Sequence, residues 1–275
     1  MKIKVLIVAF ISLCFSSSVT FAITPLGQPA ASLRDHWYGL GVEYSHTEID
    51  LKAENVEGNS YLHDGTIEDV KIDLAMAKAG LCINNNWEVF AGLGAAKADL
   101  CDERTLPYGD SPALETDKFD LDGDVSFAAL IGTKATLYEK ALLKAGVSCQ
   151  LSWLSLNGTL TKDLYRNDIF LSTGKADVDT DLFILQVAPG VSYQLFFGFS
   201  VYGGPLYQLI RGDIDAKGES GLLVKTSGSA DIKEDSSFGG WAGLHADIDI
   251  FTSIDVEYQL TGSSNTIGVS LVSKF

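Results

Sequence analysis

The chain has 275 residues, with 36 acidic against 20 basic side chains and a net charge of −16. So acidic a surface repels a phosphate backbone and excludes nucleic acid as a partner. Fourteen Phe, ten Tyr and 27 Gly against six Pro read as a β-rich chain with close backbone approach somewhere in the fold.

The opening "MKIKVLIVAFISLCFSSSVTFA" has two lysines, a short apolar run and small residues up to Ala22. This is the pattern of a secretory signal peptide, residues 1–22, removed at that point. The run from Val5 to Phe15 is too short to span a bilayer. Removal takes away Lys2 and Lys4 and leaves 18 basic against 36 acidic residues, net −18. Residues 23–35 then form a short periplasmic N-terminal segment, and 36–275 form one β-barrel domain. No stretch after Ala22 is apolar for about 18 residues, so no transmembrane helix is expected.

From Tyr38 onward apolar residues recur at every second position. "WYGLGVEYSH" puts Tyr38, Leu40, Val42 and Tyr44 on one face and Glu43 on the other. "DVKIDLAMAKAGLC" sets Ile72, Leu74 and Met76 against Lys71, Asp73, Ala75, Ala77 and Ala79. Here Lys78 falls on the lipid-facing parity, where it would have to snorkel to an interface. "WEVFAGLGAAK" opposes Trp87, Val89, Ala91 and Leu93 to Glu88, Phe90, Gly92 and Gly94. "DVSFAALIGTKATLY" places Lys134 opposite Phe127 and Ile131, and "ALLKAGVSCQLSW" places Lys144 and Gln150 opposite Leu151 and Trp153. "LFILQVAPGVSYQL" follows the same rule, with Gln186 inward. "FSVYGGPLYQLIRG" has no clean facing, and Gly203-Gly204-Pro205 suggests a bulge. "FGGWAGLHADIDI", "SIDVEYQL" and "TIGVSLVSKF" complete ten strands.

Most of these runs are ten to fifteen residues long, which suits tilted strands crossing a membrane in ~9–11 residues. Long connections at 53–66, 101–122, 157–177 and 212–237 alternate with tight turns at 84–86, 139–140, 196–197 and 251–252. The spacing predicts an all-β, ten-stranded antiparallel up-and-down transmembrane barrel, with short periplasmic turns and long extracellular loops. Trp37, Trp87, Tyr138, Tyr193, Phe199 and Phe275 cluster near the tight turns. Tyr44, Trp153, Phe183, Phe238 and Tyr258 cluster near the long connections, as two aromatic girdles would.

On this plan, and on the segment "NNNWEVFAGLG", the chain resembles the outer-membrane β-barrel superfamily of Gram-negative envelopes, the OmpA-like and porin-like small barrels. The resemblance covers about 36–275. It implies localisation in the cell outer membrane, insertion by the barrel assembly machinery, and contact with outer-membrane lipid and lipopolysaccharide. It implies no particular substrate. Ten strands also resemble the omptin proteases. The acid pairs Asp122/Asp124 and Asp213/Asp215 have no histidine beside them, however, so water activation lacks its base. No catalytic residue, metal site or cofactor is assigned. "DKFDLDGD" (117–124) lacks the spacing of an EF-hand loop.

By parity Glu43, Lys71, Asp73, Lys134, Lys144, His245, Asp247, Asp255 and Glu257 point into the lumen. They read either as a charged pore lining or as a plug of mutually paired charges, the plug being preferred. Inward small residues such as Gly39, Gly41, Ala75, Ala77, Ala79, Gly146 and Ser148 would leave a slender water path. Cys82 and Cys101 fall at opposite ends of the barrel, beyond the ~7 Å Cα reach of a disulfide, so Cys82, Cys101 and Cys149 are expected to be unbridged. Phe275 closes the final strand and reads as an assembly signal. Function is then a porin-like or structural barrel with at most a narrow lumen for small solutes or ions. The alternative is a surface-exposed adhesion or recognition barrel, meeting a host or surface ligand through its long acidic loops.

Overall fold

The computed structural model describes residues 24–33, 36–58, 65–107, 114–166, 169–196, 198–220, 224–234 and 237–275. Its strands are β1 Tyr38–Gly58, β2 Gly65–Asn84, β3 Trp87–Pro107, β4 Leu114–Gly123, β5 Ser126–Lys140, β6 Leu143–Arg166, β7 Ile169–Phe196, β8 Phe199–Ser220, β9 Val224–Glu234, β10 Phe238–Asp247, β11 Thr252–Thr261 and β12 Ser264–Lys274. All neighbours are antiparallel, and β12 pairs back onto β1 from Gly39↔Lys274 to Ile49↔Ser264, so no edge is left open.

The twelve runs make ten strands. β4 and β5 are two halves of one strand, both lying between β3 and β6. β9 and β10 are likewise the outer and inner halves of another, both paired with β8. β11 and β12 are short and stop at the 261–264 turn. Above that turn β9 pairs directly with β1, through Leu51↔Glu234 and Ala53↔Ile232. The barrel therefore has ten strands in its inner half and eight in its outer half: β1, β2, β3, β4, β6, β7, β8 and β9.

The outward faces show where a membrane fits. Trp37, Trp87, Tyr138, Tyr193 and Phe275 form a lower aromatic ring; Tyr44, Trp153, Phe183, Phe238 and Tyr258 form an upper one, all exposed. Several upper rings donate to polar groups just above them, as amphipathic rings at an interface do. The Tyr44 hydroxyl meets Asp73 at 2.5 Å, and Trp153 Nε1 meets Asp181 at 3.2 Å. Beyond this belt the outward side chains turn polar on strand after strand: His46, Lys97, Asp99, Asp181, Arg211 and Asp213.

The long connections were expected to be loops. Instead, most of 53–66, 101–122, 157–177 and 212–237 is strand, and β7 runs for 28 residues, far more than one membrane crossing needs. These stretches keep period two with its sense inverted. Asp177, Asp179, Asp213 and Asp215 face water, while Ala176, Val178, Ile214 and Ala216 are buried inside. A wall standing in water must hide its apolar face in the lumen, the reverse of the rule within lipid.

The same inversion corrects the facing of β2. Strand partners share a face, and Glu43 pairs with Met76 while Tyr44 pairs with Ala75. Hence Ile72, Leu74, Met76 and Lys78 point inward. Lys71 and Asp73 lie on the outer face, against the expectation, and so do Ala75, Ala77 and Ala79. β8 also faces cleanly, with Tyr202, Leu206, Gln208 and Ile210 inside. No bulge forms at Gly203-Gly204-Pro205. The β8–β10 register is constant from Phe238↔Tyr207 to Ala246↔Phe199, and on the β7 side pairing merely lapses between Val187↔Tyr207 and Val191↔Gly203, where Pro189 and Pro205 lack an N–H to donate.

Candidate functional site

The segment expected to lie in the periplasm, below the barrel, is folded into the lumen. Thr24, Leu26, Ala30, Ala31 and Leu33 are each 5% exposed or less. Two carboxylates from opposite walls hold it. Glu257, on β11, accepts the backbone N–H groups of Leu26 and Gly27, both at 2.8 Å. Glu88, on β3, accepts those of Ser32 at 2.7 Å and Leu33 at 3.0 Å. Thr136 accepts the N–H of Ala31 at 3.0 Å. An irregular segment buried in a barrel needs such partners, because it has no ladder of its own. Some inward glycines make room for the segment: a Cβ at Gly268 would collide with the Pro25 ring, and one at Gly146 would press on the Pro29 carbonyl and Ala30. Leu26 packs among Ala188, Tyr202, Leu206 and Trp241.

Around this plug most of the other buried charges of the inner half are paired, as buried charges must be. Lys78 Nζ lies 2.8 Å from Glu43, and Lys134 Nζ lies 3.9 Å from Glu88. His245 sits between Asp255 at 2.9 Å and Asp247 at 3.2 Å, and Lys274 reaches Asp247 at 3.3 Å. The space left beside the plug is about 70 Å³, lined by Glu43, Lys78, Lys134, His245 and Asp255 among others. That is room for a few waters. Lys144 takes the inward parity but sits half-exposed at the lower mouth, 3.8 Å from Glu139.

Above the plug lies a sheet of glutamines. Gln186 Nε2 donates to Gln208 and Gln259, both at 2.8 Å. Gln150 Nε2 donates to Gln186 at 2.6 Å, and Gln259 Nε2 donates to the Thr24 carbonyl at 2.9 Å. The Thr24 hydroxyl donates to Gln186 at 3.0 Å, so the first described residue of the plug completes this layer. Gln208 also reaches Glu234 at 3.1 Å. All four glutamines are buried. Beyond them the lumen becomes apolar.

Of the residues singled out in sequence, the lumen brings together Glu43, Lys134, His245, Asp247, Asp255 and Glu257. Lys71 and Asp73 are on the outer face, where Asp73 pairs with His46 at 2.7 Å and Lys71 lies 3.8 Å from Glu48. Glu88, Lys78, Gln208 and Glu234 were missed. Glu88 has the right parity on its strand; Gln208 and Glu234 sit where the facing was unread or a loop was expected. The plug itself had a signal. Residues 23–33, "ITPLGQPAASL", carry no charge in a chain that is one-fifth charged. Among the described residues Cys82, Cys101 and Cys149 form no disulfide. Among the described residues no group of His, Cys, Asp and Glu is placed to hold a metal ion. The pairs Asp122/Asp124 and Asp213/Asp215 are exposed, with His46 outside the barrel and His245 deep within it; His63 lies outside the described residues.

A closed up-and-down barrel with an apolar belt between two aromatic rings is the fold of outer-membrane β-barrel proteins. Among solved structures the chain is similar to outer membrane protease OmpT from Escherichia coli, at 9% identity and TM-score 0.52, over 86% of this chain and 97% of that one. It is also similar to the Pseudomonas putida toluene transporter TodX, at 10% identity and TM-score 0.41 over 93% and 98% of the two chains. A third is OprG from Pseudomonas aeruginosa, at 10% identity and TM-score 0.40 over 89% and 100%. At such identities the likeness speaks to the fold alone. No family model and no curated protein matches the chain.

Proposed function

We propose that the chain is a porin-like barrel of the outer membrane, held shut by its own N-terminal segment and passing small solutes or ions only when that segment shifts. The observation that carries this reading is the double clasp of Glu88 and Glu257 on the backbone of residues 26–33. Four hydrogen bonds to carboxylates, each worth roughly 1.5–3 kcal/mol, hold the segment firmly yet leave it a separable part of the chain. The belt would meet outer-membrane lipid, and the polar collar above it lipopolysaccharide. The barrel assembly machinery would insert the chain after a signal peptide has directed export. The recognition reading has less to work with, since most of its long loops are strand.

Single-channel recording in planar bilayers tests this. The mature chain should be silent or show rare, small steps, and a variant lacking residues 24–33 should show frequent, larger ones. Equal conductance of the two, with both folded, would overturn the plug.

A further inference from the structure

The outer half of the barrel is a second compartment, in series with the plugged inner half and above it. Its eight strands close on themselves through β9 and β1, and an eight-stranded ring is just wide enough to be filled by side chains or to hold one small ligand. Its wall is apolar inside. Ile49, Leu51, Val70, Ile72, Leu156, Val178, Leu182, Ile214 and Ile232 form one buried cluster there. Outside, the same level carries Asp50, Lys71, Asp99, Asp179 and Asp213. The glutamine layer with Thr24 floors it and separates it from the charged inner lumen.

The interior is not filled. A cavity of about 90 Å³ remains between β1, β2, β3, β4, β6, β7, β8 and β9, and of the side chains lining it only Asn157 and Thr180 bear a polar group. Apolar cavities accept apolar guests, one of ~150 Å³ in another protein taking benzene or xenon; this one is smaller, so its side chains would have to give way slightly for a ring. No charged side chain lines it, which excludes an ionic or sugar ligand, since its polar groups would go unpaired.

We propose that this chamber binds a small uncharged hydrocarbon, a single ring or a short chain, in the part of the barrel that stands clear of the membrane. The occupant is held by contact with aliphatic side chains and by exclusion of water.

The test uses the full mature protein in micelles, with methyl-labelled Ile, Leu and Val followed by NMR as benzene is added. Methyls of Ile72, Val178, Leu182 and Ile214 should shift saturably. Those of Leu93 and Leu151, on the lipid-facing belt, should move only linearly as benzene partitions into the micelle. Glucose should shift none of them. Ala98→Phe, which fills the cavity, should abolish the saturable component; Ala98→Leu is the smaller filler should the first not fold. The proposal is overturned if the chamber methyls follow the linear course of Leu93 and Leu151, if they do not move, if glucose saturates them, or if a folded filled variant still saturates. The wild-type titration decides without either variant.

Discussion

Glu257 and Gly27 lie 230 residues apart in the chain, yet the Glu257 carboxylate accepts the Gly27 N–H at 2.8 Å inside the lumen. That contact, with its counterpart between Glu88 and Leu33, turns a tail into a plug. Gly27 has φ +67°, a left-handed turn that a side chain resists, and this turn presents its N–H to the carboxylate next to that of Leu26. Replacing Glu257 by Gln should weaken the clasp while keeping an oxygen acceptor. Single-channel recordings should then show more frequent openings than wild type, and Glu88→Gln with Glu257→Gln more than either alone.

Lys78 and Glu43 test the corrected facing of β2. Removing only the lysine, as Lys78→Met, leaves a buried carboxylate uncompensated, at about 3–5 kcal/mol. The double change Glu43→Gln with Lys78→Met should recover most of that loss. The unfolding midpoint seen by heat-modified gel mobility reports both. A lipid-facing Lys78 would give the opposite result, since Met would then be gained stability.

Glu234 stands above the belt and takes only Gln208 as a short partner from the glutamine layer. Burial pushes its carboxyl up to about 7, with hydrogen bonds from Gln208 and Ser237 and the Arg211 charge opposing. A raised acid holds its proton more tightly when folded. Its contribution is therefore complete below the unfolded value of 4.5 and is lost as pH rises toward 7. Glu234→Gln should remove that dependence and stabilise the barrel at pH 8 by about 1–2 kcal/mol after solvent screening. Melting curves at pH 5 and pH 8 would show a gap in wild type that the variant lacks.

Phe275 closes the seam. Its backbone N–H donates to Tyr38 and its carbonyl accepts from Trp37, both at 2.8 Å, while its ring stacks on Tyr38 at 5.3 Å between centroids. We propose that this residue also guides assembly. Phe275→Ala should reduce the folded fraction in outer-membrane preparations, and Tyr38→Ala, which keeps the backbone bonds, should reduce it less. Unchanged folded yield of Phe275→Ala would end that role.

The sequence by itself determined the strand count, the short turns, the two aromatic rings and most facings. Each is a local consequence of period two and of rings that favour an interface. The facing of β2 escaped it because apolar residues there do not mark lipid. Where the wall stands in water the apolar parity is the inner one, and only the pairing of Glu43 with Met76 fixes which regime applies. The plug escaped it because residues 24–33 have no period at all, and their partners, Glu88, Thr136 and Glu257, come from three distant strands. The narrowing from ten strands to eight depends on β11 and β12 ending where β9 meets β1. Tertiary structure alone decided these things, because pairing across the ring puts in contact residues whose separation in the chain carries no local signal.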